Sequence, residues 1–180
     1  SGMCNVLTLK NQTKKIIIAG DLFDSFNVRL CKQQWKILGI LRALSNDMDI
    51  VWVKGNHDSY HEAKTVCHLL GSEFYPTHYI FESGNKKILV IHGDFFDSFL
   101  TDHPILTWIS DWCYWLLQKI DRSHCIAKIA KHKSKSYLHC SEVISKEAVA
   151  YAEKLKCDIA VCGHTHLALD KGNYYNSGSW

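Results

Sequence analysis

Along this chain, short runs of β-branched residues alternate with longer segments whose apolar residues recur at helical spacing. Lys15–Ala19 and Asp49–Val53 are apolar runs that end at or near a glycine, which is typical of buried strands. Gln33–Leu44 lies between them and Glu62–Leu70 follows them, and both carry apolar residues at helical spacing. Strands that alternate with helices in this way predict a layered α/β domain.

The second half of the chain continues this order and adds hairpins. Its predicted strands are short apolar runs beside turn residues or after a helix: His78–Phe81, Lys87–Ile91, Asp158–Cys162, Leu167–Leu169 and Tyr174–Tyr175. Tight turns are predicted at Ser83-Gly84-Asn85 and at Lys171-Gly172-Asn173, because Gly and Asn tolerate positive φ. Ser141–Leu155 is predicted to be a helix. We interpret residues 1–180 as a single domain.

Residues 95–138 differ from the rest because they contain no strand pattern. Their apolar residues recur at helical spacing: Ile105, Trp108, Ile109, Trp112, Leu116 and Ile120. A basic stretch follows them: Lys128, Lys131, Lys133 and Lys135. Two interpretations stay open. The segment is either a helix pair packed on the core with a solvated lysine face, or a cap that accepts an acyl chain or contacts anionic lipid.

Composition restricts the classes of protein to consider. With 180 residues, 47% apolar and 22% charged, the chain suits one well-buried globular domain. A net charge of +3 does not indicate nucleic-acid binding. No apolar run approaches the length of a membrane span, and none of the eight cysteines forms a Cys-x-x-Cys pair. We therefore expect a cytoplasmic protein with reduced, buried cysteines.

Four polar fragments follow predicted strands: Gly20–Asp24, Gly55–Asp58, His92–Asp94 and Gly163–His166. Each fragment alone is compatible with an ordinary turn or loop. All four at strand ends predict a binuclear metal site, because open α/β sheets place ligands at the carboxyl ends of their strands. Carboxylate, amide and imidazole donors suit manganese, iron, zinc or cobalt better than calcium or magnesium.

The order GDLFD, GNHD, HGD and GHTH resembles the calcineurin-like metallophosphoesterase superfamily. Within it, HGDFFD, the Trp-rich segment, CGHTH and YYNSGSW most resemble the UDP-2,3-diacylglucosamine hydrolases of bacterial lipid A synthesis. The resemblance implies an α/β/β/α sandwich with a helical cap insertion at about residues 95–138. It also implies a hydrolase that cleaves the pyrophosphate of a nucleotide-lipid by attack of a metal-held hydroxide on phosphorus.

The resemblance further implies a set of metal ligands. Asp21 would bridge two ions, and Asn56, His92 and His164 would complete the site of one. His166 would bind the other ion together with an Asp and a His from an upstream Asp-x-His motif. The expected metal is Mn²⁺, with iron, zinc and cobalt as alternatives.

Two catalytic residues are implied by the same resemblance. His57 would lie beside the phosphoryl group, where it stabilises charge or protonates the leaving oxygen. Asp24 would orient the imidazole of His57. The alternative for Asp24 is a simple turn carboxylate. No substrate-binding residue is assigned.

The chain departs from the family pattern because no Asp-x-His occurs in it. We therefore expect one well-held metal ion, weak or absent turnover, and a chain that is short at both ends and lacks the first strand. Removal of that strand would expose the edge formed by Ile16–Ile18. We expect this edge to pair with another chain or to be distorted.

Three functional hypotheses follow. The first is a hydrolase for a UDP-diacylglucosamine-like nucleotide-lipid, with peripheral contact between the cap and the inner membrane surface. The second is a phosphoesterase of the same superfamily that acts on a nucleotide or phosphodiester. The third is a non-catalytic metal-binding remnant. A phosphorylated small molecule is the expected partner in the first two, and nucleic acid in none.

Overall fold

The structure is a computed structural model that describes residues 14–23, 30–97 and 135–178, without the side chains of residues 135–137. Its helices are α1 Lys32–Leu44, α2 Tyr60–Leu70 and α3 Lys135–Lys154. Its strands are β1 Lys15–Ala19, β2 Asp49–Val53, β3 Glu73–Tyr75, β4 His78–Ser83, β5 Lys86–Ile91, β6 Ile159–Cys162, β7 Leu169–Asp170 and β8 Tyr174–Asn176. A 3-10 turn covers Asp94–Phe96.

The strands form two sheets. The first is parallel, in the order β1-β2-β3, and Ile17 lies opposite Val51. The second has the order β4-β5-β6-β8-β7, with β5, β6 and β8 parallel and an antiparallel hairpin at each edge. The loops that follow β1, β2, β5 and β6 begin at the carboxyl ends of parallel strands, and the four polar fragments are in these loops.

Each sheet is covered by helices. In the first sheet, Ile50 and Trp52 pack with residues of α1 and α2: Leu38, Leu41, Leu44, Cys67 and Leu70. In the second sheet, buried residues of β5 and β6 pack with α3: Leu89, Ile91, Ala160 and Cys162 with Ala148 and Ala152. Val51 and Val53 alternate onto the other face of β2 and are also buried. The predicted layered α/β sandwich is therefore confirmed.

Several predicted boundaries were wrong. α3 begins at Lys135 and not at Ser141, so the last residues of the predicted cap segment are its first turn. α2 begins two residues before the predicted start, at Tyr60, with Ser59 as its N-cap residue. The last hairpin starts at Leu169, not Leu167. The three-residue strand β3 was missed because it is too short to show alternation.

Two predictions concern residues outside the described ranges. The predicted cap falls mostly on residues 98–134, and Asp24 lies in the gap between residues 23 and 30.

β1 is an edge strand among the described residues, and its predicted pairing with another chain stays a prediction. In the described part of the chain, no helix has the length and apolarity needed to cross a membrane.

Candidate metal centre

The two sheets meet where β1, β2, β5 and β6 end. Nδ1 of His92, after β5, donates to the carbonyl oxygen of Ala19 at the end of β1 over 2.6 Å. The Gly163 N–H, after β6, donates to the His92 carbonyl oxygen over 3.1 Å. These contacts join loops that are far apart in sequence, and they bring the predicted ligands to one place.

Lone pairs converge at this place. Nε2 of His92 lies 3.0 Å from Oδ2 of Asp21 and 3.1 Å from Oδ1 of Asn56. Because the Ala19 carbonyl can only accept, Nδ1 of His92 carries a proton, and Nε2 of the neutral ring presents a lone pair to both oxygens. Facing lone pairs need a proton or a cation between them. Adjacent ligands of an octahedral ion at about 2.1 Å are about 3.0 Å apart, which matches these separations.

His164 completes a group of three ligand side chains. One donor atom each from Asp21, His92 and His164 lies within 4.8 Å of the others. The rings of His92 and His164 are 5.1 Å apart between centroids and nearly perpendicular. Oxygen and nitrogen donors in this combination can bind a divalent metal ion.

The backbone around the site is strained. Asp21, His164 and His166 have positive φ values of 50°, 59° and 55°. Such conformations are uncommon for residues other than glycine, and they cluster at functional sites. Gly55 gives the Asp21 loop its space, since a Cβ on Gly55 would lie 2.7 Å from the Asp21 backbone nitrogen. The fold therefore holds the Asp21 carboxylate in a position that local preference alone would not select.

Asp58 supports the Asp21 loop through hydrogen bonds. The sequence analysis placed it in the Gly55–Asp58 fragment but assigned it no structural role. Its Oδ2 accepts from the Asp21 N–H at 3.0 Å, the Gly55 N–H at 2.9 Å and Trp52 Nε1 at 3.0 Å. Asp58 is 1% exposed. It therefore ties the end of β1 to the end of β2. In the sequence, only Trp52, six residues earlier, could have indicated that Asp58 accepts a buried hydrogen bond.

Asn176 supports the other loop and was also missed. Its Nδ2 donates to the Gly163 carbonyl at 2.6 Å and to Thr165 Oγ1 at 3.2 Å, and its Oδ1 accepts from the Gly178 N–H at 3.0 Å. Asn176 is buried at the end of β8. It holds the Gly163 backbone and the Thr165 side chain, which lie on either side of His164.

The predicted site residues are placed as follows. Asp21, Asn56, His92 and His164 come together, while His166 is exposed and is not a member of the three-residue ligand group. His57 is exposed, and its backbone N–H donates to Oδ1 of Asp21 over 2.8 Å. Asp24 lies outside the described residues. The metal-binding and catalytic roles of these side chains stay predictions.

Asp21 and His92 alter the pKa of each other. Burial raises the pKa of Asp21, but the hydrogen bonds and charges of His92 and, to a lesser extent, His57 together outweigh it, so the pKa is lowered overall. Burial lowers the pKa of His92, but the hydrogen bond and charge of Asp21 outweigh this effect and raise it. The metal-free protein therefore favours an imidazolium paired with a carboxylate.

Affinity for a divalent ion is expected to rise with pH through the raised pKa of His92, because the ion must displace the proton from Nε2. Titration calorimetry with Mn²⁺ from about pH 5.5 to 8.5 measures this change, since an ordinary histidine has a pKa of about 6.5. Buffers with different ionisation enthalpies give the number of protons released. A pH-independent affinity would contradict ligation by His92.

The free energy of unfolding of the metal-free protein should fall as pH rises through the pKa of His92, whereas the metal affinity should rise. The His92 contribution is fully present below the ordinary histidine pKa of 6.5 and is lost as pH rises through the raised pKa. The Asp21 contribution is present above the ordinary aspartate pKa of 3.8 and is lost as pH falls through the lowered pKa. The pair therefore stabilises the metal-free fold most between these two values.

Solved structures of low sequence identity align with most of the chain. A protein of unknown function from Aquifex aeolicus has 17% identity and a TM-score of 0.47, over 98% of this chain and 73% of that one. A predicted phosphoesterase from Streptococcus pneumoniae has 19% identity and a TM-score of 0.40, over 96% and 60%. Vacuolar protein sorting 29 from Cryptosporidium parvum has 16% identity and a TM-score of 0.45, over 99% and 65%.

Sequence comparison assigns the chain to a family. No curated protein sequence matches it significantly. The model of the calcineurin-like phosphoesterase family matches residues 5–168, which contain all four polar fragments. This family implies divalent metal ions, in agreement with the ligand group of Asp21, His92 and His164. The chain belongs to the calcineurin-like phosphoesterases, which are hydrolases that act on phosphoesters.

Proposed function

We propose that this phosphoesterase cleaves the pyrophosphate of a UDP-diacylglucosamine-like nucleotide-lipid. The hydrolytic part rests on one observation: Asp21 Oδ2 and Asn56 Oδ1 lie 3.0 and 3.1 Å from His92 Nε2. The substrate part rests on the resemblance of HGDFFD, CGHTH and YYNSGSW to hydrolases of that class.

In this proposal, Asp21, Asn56, His92 and His164 hold one divalent ion, and Mn²⁺ is the first candidate. A bound ion of this kind supplies Lewis acidity and an activated water at neutral pH. The binding loops supply orientation, since Asp58 and Asn176 fix the backbone beside Asp21 and His164. The ligands therefore need little rearrangement when the substrate binds.

His57 is the proposed acid or charge-stabilising group. Its backbone N–H is bonded to Asp21, and the charge of its imidazole contributes to lowering the pKa of that carboxylate. The side chain is exposed, so a phosphoryl group can reach it. An imidazolium there donates a proton to the leaving oxygen or a hydrogen bond to a phosphoryl oxygen.

The number of ions is part of the proposal. Apart from the bridging Asp21, only His166 is assigned to the second ion, and the sequence contains no Asp-x-His to accompany it. We therefore propose one tightly bound ion per chain and weak turnover. Elemental analysis of the purified protein tests this directly, and two tightly bound ions per chain would contradict it.

The acyl chains of the proposed nucleotide-lipid substrate require an apolar surface beside the metal site. Phe95, three residues after His92, is 50% exposed, and its ring lies 5.7 Å from that of Tyr151 on α3. The apolar stretch with Trp108 and Trp112 follows in the sequence. We propose that these residues receive the lipid and that this face contacts the membrane surface peripherally.

The test compares three substrates with Mn²⁺ present: UDP-2,3-diacylglucosamine, a soluble nucleotide diphosphate sugar and a chromogenic phosphodiester. We expect measurable cleavage of the lipid substrate and release of UMP, detected by mass spectrometry. Replacement of both Trp108 and Trp112 by Ser should raise KM for the lipid substrate and leave KM for the soluble compounds unchanged.

Other outcomes of this test select the alternatives. Faster cleavage of the phosphodiester, with no effect of the tryptophan substitutions, indicates a phosphoesterase for nucleotides or phosphodiesters. Mn²⁺ binding without hydrolysis of any substrate indicates a non-catalytic metal-binding protein. Both results contradict the proposed substrate, and the second also contradicts the proposed reaction.

A further inference from the structure

We propose that Asp97 positions the metal-binding ring of His164 by accepting a hydrogen bond from its Nε2–H. This inference rests on the proposed metal site, although its first test needs neither metal nor substrate. Asp97 follows the 3-10 turn Asp94–Phe96, and nothing in the composition or spacing of the chain assigns it a role in that site.

The contact is direct. Oδ2 of Asp97 lies 3.0 Å from Nε2 of His164, and the two side chains are only 13% and 12% exposed. An ionised carboxylate can only accept a hydrogen bond, so Nε2 must carry the proton. In the neutral ring, the lone pair is then on Nδ1, and Nδ1 is the atom that can bind an ion.

Asp97 acts from outside the ligand group. That group contains Asp21, His92 and His164 within 4.8 Å of one another, and Asp97 is not a member although it touches His164. His92 is held in the same manner, since its Nδ1 bonds the Ala19 carbonyl and its Nε2 faces the other ligands. Each imidazole therefore has one anchored nitrogen and one left for the ion.

Asp97 is itself held by the fold. Its backbone N–H donates to the Asp94 carbonyl over 3.0 Å, which fixes it at the end of the 3-10 turn that follows His92 and Gly93. The Cys140 thiol of α3 also bonds its carboxylate, and burial together with the charge and hydrogen bond of Asp97 raises the pKa of Cys140 to about 11. The protonated thiol is thus a donor at neutral pH. Asp97 consequently links α3 to a candidate ligand after β6.

The first experiment measures the tautomer of His164 in the metal-free protein by ¹⁵N NMR of its ring, well above the ordinary histidine pKa. We expect the Nε2–H form in the unmodified protein and a mixture of both tautomers in Asp97→Ala. Asp97→Asn keeps an acceptor oxygen and should retain much of the Nε2–H form. Circular dichroism confirms that each variant is folded.

The second experiment measures Mn²⁺ affinity by titration calorimetry. Asp97→Ala should weaken binding about 10- to 100-fold, as expected for loss of the partner of a ligating histidine. Asp97→Asn should show a smaller loss. Asp170→Asn is the matched control, because this exposed carboxylate bonds only a backbone N–H in its own hairpin among the contacts described, and it should leave the affinity unchanged.

The outcomes separate the possible roles. Weaker Mn²⁺ binding together with a changed tautomer supports positioning. Weaker binding with an unchanged tautomer means that Asp97 binds the ion directly, which overturns the inference. Unchanged binding in Asp97→Ala, or no Mn²⁺ binding by the unmodified protein, also overturns it. Tight Mn²⁺ binding without phosphoester hydrolysis would instead overturn the proposed function and leave the role of Asp97 intact.

Discussion

Replacement of Asp21 by Asn is expected to lower metal-dependent phosphoester hydrolysis by about 1,000-fold or more, because an ion contributes several kcal/mol to the transition state. Oδ2 of Asp21 is one of the acceptors that converge on His92 Nε2. An amide has no charge and offers only one oxygen as a metal ligand. The substitution therefore weakens ion binding at the centre of the site. Turnover and Mn²⁺ affinity should fall together.

The isosteric change keeps the loop intact. The amide oxygen can still accept the His57 N–H, which now bonds Asp21 Oδ1 over 2.8 Å. Asp49→Asn is the control, because Asp49 is an exposed partner of Lys15 at 3.6 Å and such pairs contribute little. Steady-state kinetics at several Mn²⁺ concentrations measure the effect. Full activity of Asp21→Asn at saturating Mn²⁺ would exclude Asp21 as a ligand.

Replacement of Asp58 by Ala is expected to lower the free energy of unfolding by about 3 kcal/mol or more. The substitution leaves three donors without their acceptor: the Asp21 N–H, the Gly55 N–H and Trp52 Nε1. Each buried donor without a partner costs about 1–3 kcal/mol. Because two of these donors are in the metal-binding loops, ion affinity should fall as well.

Asp158→Ala provides the matched control for Asp58→Ala. Asp158 is exposed and accepts the Lys87 N–H over 2.7 Å, so its loss should cost only about 1 kcal/mol. Urea unfolding of the two variants and the unmodified protein gives the comparison. Equal losses from Asp58→Ala and Asp158→Ala would show that Asp58 does not organise the site.

The strands that carry the site were predictable because each is locally encoded. Lys15–Ala19 and Asp49–Val53 have the predicted bounds in the structure, since each is a β-branched run that is followed closely by a glycine. α3 was less predictable. Its first residues directly follow the lysine-rich stretch and were interpreted as part of the cap segment, and the helix starts six residues before the predicted Ser141.

The supporting residues could not be predicted by the same reasoning. Asp58 and Asn176 are ordinary turn or strand-end residues in the sequence, and Asp97 follows a short turn. Two of them have partners far along the chain, since Asp58 bonds Asp21 and Asp97 bonds His164, which are 37 and 67 positions away. Sequence periodicity reports which face of an element is apolar, and it contains no information about which loops meet.

The sequence alone determined the layered α/β class and the chemical identity of the donors, because strand propensity and ligand type are properties of single residues and short runs. Only the tertiary structure decided which donors converge. Pairing of β1 with β2 and of β5 with β6, and the bond from His92 to Ala19, place Asp21, His92 and His164 together and leave His166 outside their group. These contacts join residues more than thirty positions apart, so they depend on the packing of whole sheets rather than on local preference.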